Sequence, residues 1–174
     1  MLVASAARPL SHVWFTYQNR VAICVKRRFV DLHARTLCHA TEDLGRVELA
    51  MTNALGPVEL SVRKTEGHHG NPLTIIEAVI DGEREISDFF RRLRDEDLET
   101  VAGSLMARVD EGCNLFIRLD KQSAFQGDLR LATNDDVVSI RTRVSAYPAK
   151  ADLARGVIEG FLKELLDARR TGPR

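Results

Sequence analysis

Phe29-Val30-Asp31-Leu32-His33-Ala34-Arg35-Thr36-Leu37-Cys38-His39 alternates in character, so Val30, Leu32, Ala34, Thr36 and Cys38 share one side of an extended chain. The spacing predicts a long strand with one buried face. Thr41 and the acids Glu42 and Asp43 follow, then Leu44, Val47, Met51, Ala54 and Leu55 at three-and-four spacing. This reads as a helix opened near Thr41 and closed by Gly56-Pro57. Val58, Leu60 and Val62 alternate with Glu59, Ser61 and Arg63, and the run Leu73 to Ile80 is apolar again beyond the loop Glu66 to Pro72. Two strands joined by a glycine-rich loop are expected.

Between Asp81 and Glu111 the period becomes helical. Ile86, Phe89, Phe90 and Leu93 form one stripe, and Leu98, Val101, Ala102, Leu105 and Val109 another, with Asp95 as N-cap and Gly112 as stop. Residues 81 to 99 hold eight acids against four arginines, an acidic solvated face unsuited to nucleic acid. Strand alternation returns in Leu115, Ile117 and Leu119, and again, after the connector Lys121 to Gly127, in Leu129 and Leu131 and in Val138 to Val144. Tyr147-Pro148 ends that strand. Leu153, Val157, Phe161, Leu162 and Leu165 mark a last helix from Asp152 to Ala168. Six strands in this order predict an α+β fold, a two-layer sandwich with a largely antiparallel sheet and its helices packed on one face.

The 174 residues carry 25 basic and 25 acidic side chains, which excludes a uniformly polycationic surface but leaves a local basic face open. No apolar run approaches the ~18 residues of a membrane span. Cys24, Cys38 and Cys113 are odd in number and show no CxxC, which fits a reducing cytoplasm and neither a disulfide framework nor a zinc ribbon. Residues 1–28 hold Arg8, Arg20, Lys26, Arg27 and Arg28 with no acid. Three readings suit this extension: a basic arm, an added edge strand from Val21 to Val25, or a start codon placed too far upstream. Residues 29–168 form the single expected domain and 169–174 a tail.

If the apolar parity of each strand faces the helices, the other parity is open to solvent. It displays Asp31, His33, Arg35 and His39, then Glu59 and Arg63, Phe116 and Arg118, and Arg141 and Arg143. Guanidinium groups interleaved with an aromatic ring are the chemistry RNA-binding sheets use, with the former on phosphates and the latter under an unpaired base. Cross-strand pairing of Arg63, Arg118 and Arg141 with Glu59, Asp31 or Asp120 is the competing reading. Catalytic and metal signals are thin. His68 and His69 are adjacent with no third ligand, Ser123 stands in no elbow motif, and Gly67 to Gly70 lacks the spacing of a phosphate loop. No cofactor, no metal and no enzyme activity is expected.

Cys38-His39-Ala40-Thr41-Glu42-Asp43, Glu66-Gly67-His68-His69-Gly70-Asn71-Pro72, Arg118-Leu119-Asp120-Lys121-Gln122-Ser123-Ala124-Phe125 and Ala146-Tyr147-Pro148-Ala149-Lys150 occur in that order. Together, over Phe29 to Leu166, they resemble an archaeal family described as predicted RNA-binding proteins and predicted exosome subunits. Its fold is similar to that of the large-subunit ribosomal protein that binds the smallest ribosomal RNA. The resemblance implies RNA as partner, in the cytoplasm, near RNA processing or degradation, without catalysis; a protein-interaction module docking on an RNA-processing assembly is the alternative. The connector Arg94 to Asp97 looks trimmed relative to that family. Carried onto this chain, the motifs place His68, His69 and Asn71 on one surface loop and Lys121 and Gln122 on another, with Arg118 leading into it. Lys121 suits a phosphate, and Gln122 and Asn71 suit base edges or 2′-hydroxyls. A structural reading stands beside this one: Asp120 and Gln122 hold the connector's shape, and Asn71-Pro72 starts a strand.

Overall fold

The computed structural model describes residues 27–66 and 70–171. Strand β1 (Phe29–His39) leads through helix α1 (Leu44–Leu55) to β2 (Ser61–Glu66) and β3 (Pro72–Ile80). Three helices follow, α2 (Glu83–Arg92), α3 (Asp95–Gly103) and α4 (Leu105–Arg108), then β4 (Asn114–Asp120), α5 (Lys121–Phe125), β5 (Val137–Val144) and α6 (Ala151–Thr171). The strands form one antiparallel sheet in the order β2-β3-β1-β5-β4. Helices pack on one face of it, giving the expected α+β arrangement, with five strands rather than six.

The missing strand has a local reason. Leu129 to Ala132 does not run alongside a partner; it makes one bridge, Leu131 with Leu119, while the Asp120 N–H donates to the Arg130 carbonyl and the Ala132 N–H to that of Arg118. The segment is a strap that satisfies the outer edge of β4, an edge that would otherwise be open to pairing.

Phe29 heads the core from β1, stacked on Phe90 at 5.2 Å and edge-on to Phe161 at 5.0 Å. Its burial departs from the alternation, which gives that side to Val30. Val30 is 39% exposed, and the pairing of β1 with β5 shifts between Phe29 and Asp31. A bulge lets the larger aromatic side chain take the inward position, where ring packing adds about 0.5–1.5 kcal/mol beyond burial. From Leu32 onward the expected parity holds, with Leu32, Ala34, Thr36 and Cys38 buried.

Other boundaries shift by a residue or two. Asp43, not Thr41, caps α1, its Oδ1 accepting the Arg46 N–H at 2.9 Å, and Gly56 closes that helix at φ 86°, a conformation that favours glycine. Arg94 occupies the cap position of α3 that the sequence assigns to Asp95. β2 begins at Ser61, and Val62 is exposed because no helix among the described residues covers that margin of the sheet, while Val58 and Leu60 pack on the core from the preceding loop. On α6 the buried stripe is Ala154, Ile158, Phe161, Leu162 and Leu165, and Leu153 faces outward. The helix includes Arg169 and Arg170, which the sequence pattern assigns to the tail; Arg170 pairs with Glu99 of α3 at 3.0 Å. Val21 to Val25 lies outside the described residues. Arg28, next to it, pairs with Glu164 at 2.7 Å and covers the Phe161 ring. No helix among the described residues is long and apolar enough to cross a membrane.

Candidate nucleic-acid interface

Antiparallel register places directly opposed residues on the same face, so the open side of the sheet can be read row by row. One row is Ser61, Glu77, Arg35, Ser139 and Arg118, running from β2 to β4. The next is Val79, His33, Arg141 and Phe116. A third joins Asp31, Arg143 and Asn114, and on the other flank Arg63, Ile75 and Leu37 form a fourth. Rows follow one another at about 6.8 Å and strands at about 4.8 Å. Arg118, Arg141 and Arg143 therefore come together on β4 and β5. Arg63 is set apart on β2, with β3 and β1 between it and that group.

Five arginines, Arg35, Arg63, Arg118, Arg141 and Arg143, face two carboxylates in these rows, Asp31 and Glu77. Arg35 Nε lies 3.7 Å from Glu77 Oε1, and His33 Nε2 lies 3.5 Å from Asp31 Oδ1. Among the described residues no carboxylate oxygen is within 4.0 Å of the Arg63, Arg118, Arg141 or Arg143 guanidinium. The cross-strand pairing that competes with a ligand for these groups is thus absent there. Asp110, near Arg141, is drawn into its own turn. Burial would raise its carboxyl, but the Asn114 backbone N–H at 2.8 Å and side-chain amide, with the Arg141 charge, hold it below the usual carboxylate range. Phe116 stands among these arginines at 44% exposure. A concavity of about 460 Å³ opens beside it, lined by His33, Arg35, Val79, Ser139 and Arg141 among others.

From the two loops that the motifs single out, Asn71 and Gln122 lie at the other end of the sheet from Arg143. Asn71 is exposed just before β3, and Gln122 is exposed on α5, where its Nε2 donates to Asp136 Oδ2 at 3.0 Å. His68 and His69 lie outside the described residues. Lys121 departs from its expected place on the loop surface: the residue is 3% exposed. Its Nζ donates to the Leu37 carbonyl at 2.8 Å and to Glu42 at 3.0 and 3.1 Å, and it pairs with Asp136. Asp120 explains the inward turn. It caps α5 by accepting the Ser123 N–H at 2.7 Å, which starts the helix at Lys121 and directs that side chain under the sheet's end.

This cluster has its own electrostatics. Burial acts to raise the Asp136 carboxyl, yet hydrogen bonds from Lys121 and Gln122 and the Lys121 charge outweigh it and hold the group below the ordinary range. Asp120 is lowered in the same manner, against burial, by Ser123 and by the Asn134 amide at 3.0 Å. Burial pushes the neighbouring Cys38 thiol up, aided by the Glu42 charge and opposed by Lys121, so this cysteine is an inert core group. Ser139 is a face residue that the outward set inferred from the sequence does not include. Arg35 was legible as outward-facing, whereas its alignment with Ser139 and Arg118 is set by the pairing of strands distant in the chain. Among the described residues no group of three or more His, Cys, Asp or Glu side chains is placed to hold a metal ion.

A family model described as RNA binding matches residues 31–144. The chain belongs to this RNA-binding family. Within it, the chain is 32% identical over 143 residues to RNA-binding protein PAB1135 of Pyrococcus abyssi, covering 76% of this chain and 93% of that one. Two solved structures are similar. Mth689, a DUF54 protein from Methanothermobacter thermautotrophicus, has a TM-score of 0.70 at 30% identity, over 78% of this chain and 98% of its own. AF2318 from Archaeglobus fulgidus has a TM-score of 0.67 at 31% identity, over 79% of this chain and 99% of its own.

Proposed function

We propose that this member of the RNA-binding family is non-catalytic and holds RNA on the open face of its sheet, in archaeal cytoplasmic RNA processing or degradation alongside the exosome. The observation that carries the binding surface is the group Arg118, Arg141 and Arg143 on β4 and β5, none with a carboxylate oxygen within 4.0 Å among the described residues, gathered around an exposed ring. Unpaired guanidinium groups on an uncovered face are available to phosphates at no cost in broken ion pairs. The four-motif resemblance and the archaeal source of the relatives support the cellular setting. Arg63 extends the surface toward β2. Asn71, Gln122, His68 and His69 supply hydrogen-bonding groups from the two loops, and Lys121 braces the Gln122 loop from beneath.

Fluorescence anisotropy of labelled RNA across a salt series tests this. Removing one protein–phosphate interaction lowers the steepness of log affinity against log salt by about 0.7–0.9. The Arg118→Ala, Arg141→Ala, Arg143→Ala triple variant should therefore bind more weakly and with a slope shallower by about 2–3. An unchanged slope removes these arginines from the interface. Repeating the titration without residues 1–26 separates the folded face from the basic extension. A protein-interaction module is the second reading, and the exposed outer margin of β2 favours it. Partners that stay bound after ribonuclease treatment would select it.

A further inference from the structure

Phe116 sits where a solvated sheet face has no use for an aromatic ring. Its row partners are Arg141 and, one strand further, His33, and it is followed on its own strand by Arg118. The aromatic contacts among the described residues lie in the core, between Phe29, Phe89, Phe90 and Phe161. The guanidinium groups that cover rings do so over Phe161 and Phe125. Phe116, 44% exposed, therefore presents a ring on which no described aromatic or guanidinium group is stacked. The adjoining concavity of about 460 Å³ has apolar Val79 on its far side and Arg35, Ser139 and Arg141 around it. Its size is within the range of about 300–1,000 Å³ typical of small-molecule sites.

We propose that the RNA segment taken by this face is single-stranded, with one unpaired base stacked on Phe116 and its flanking phosphates on Arg141 and either Arg118 or Arg143. The proposal rests on the reading that the open face binds RNA. A base inside an A-form duplex has both faces covered by its neighbours in the stack, and such a helix offers only phosphates, 2′-hydroxyls and groove edges. A ring among arginines adds affinity where a base is splayed out, and it does so with little sequence preference because every base has a π-face. Phe116 lies in the middle row, flanked at about 6.8 Å by rows that each carry an arginine, so a chain passing along β4 and β5 can contact cations on both sides of the stacked base.

Anisotropy titrations of the full chain and of Phe116→Ala and Phe116→Trp, with labelled single-stranded oligouridine and a blunt RNA duplex, test this. Phe116→Ala should bind the single strand roughly tenfold to a hundredfold more weakly while leaving duplex binding and the salt slope unchanged, since the ring carries no charge. Phe116→Trp should keep single-strand affinity, with its added indole fluorescence quenched on binding. Circular dichroism confirms the fold of both variants. Equal loss on both RNAs, or no loss on either while the unaltered chain binds, overturns the stacking proposal and leaves the binding face standing. Failure of the unaltered chain to bind either RNA overturns the binding face itself, and the exposed ring then marks a protein contact.

Discussion

The Lys121 ammonium gathers three separate parts of the chain at one point: the Leu37 carbonyl at the end of β1, Glu42 before α1 and Asp136 before β5. Because Asp136 is an acid with its carboxyl held below the ordinary range, its contribution to stability has a defined sign with pH. The folded state binds fewer protons than the unfolded chain, whose aspartates titrate near about 3.9. The stabilisation is therefore complete above that value and is lost as pH falls through the lower folded value. Asp136→Asn should lower stability at neutral pH and flatten its decline below about pH 4, so that the two proteins converge in strong acid. Urea unfolding from about pH 2.5 to 6 measures this, and parallel curves would show that the carboxylate is not linked to folding. Asp120 titrates in the same window, so part of the acid decline remains in the variant. The sequence shows that Lys121 follows a turn-forming acid, Asp120. It does not show that Glu42, 79 residues away, reaches the same ammonium, because that depends on β1 and β5 lying side by side.

Among the elements, β1 carries the clearest lesson about what periodicity contains. Its alternation specifies a half-buried strand, and from Leu32 to Cys38 the buried set is the one expected from the pattern. At its start the pattern alone assigns the core to Val30, and the competing demand of Phe29 for the space between Phe90 and Phe161 is invisible to it. Packing chooses the ring, and the bulge absorbs the extra residue. A paired substitution tests this phase. Leu32→Ala, at a fully buried position, should cost about 2–5 kcal/mol, whereas Val30→Ser, on the solvent side of the bulge, should stay within about 1 kcal/mol. Chemical denaturation of both gives the comparison, and a large cost at Val30 would restore the uninterrupted alternation. The strap at residues 129–132 does not become a sixth strand for a related reason. Its Leu129 and Leu131 carry strand-like spacing, but it is the Arg130 carbonyl and the Ala132 N–H that bond to the margin of β4, while the Leu131 N–H donates to Asp97 Oδ1 of α3 at 3.3 Å, a partner the local pattern does not contain.

At the scale of the whole molecule, a formal net charge of zero conceals two opposed surfaces. Arginines dominate the open sheet face, and the acids of residues 81 to 99 lie on the helical side. The outward parity of the strands made the first legible from sequence, and composition made the second legible. The pairing state of each arginine was not, because it depends on side-chain geometry across strands. If RNA binds by local guanidinium contacts, helical acids should have little influence. Their outer surface is more than a helix diameter, about 10 Å, from the open face, and charges are screened over about 8 Å at physiological salt. Glu96 on α3 and Glu159 on α6 are exposed and make no ion pair among the described residues. Replacing both with glutamine makes the protein more positive by two charges, whereas Arg141→Gln makes it less positive by one. Attraction through net charge predicts a clear gain for the double variant and a smaller loss for the single one. Local contact predicts the reverse ordering: affinity within about twofold for Glu96→Gln with Glu159→Gln, and a loss of about fivefold to a hundredfold for Arg141→Gln, the equivalent of the cost of about 1–3 kcal/mol typical of removing a charged hydrogen bond from an interface. Titrating the three proteins against one labelled RNA at about 0.15 M salt decides between them, because at that ionic strength the long-range field has decayed and the contact term remains.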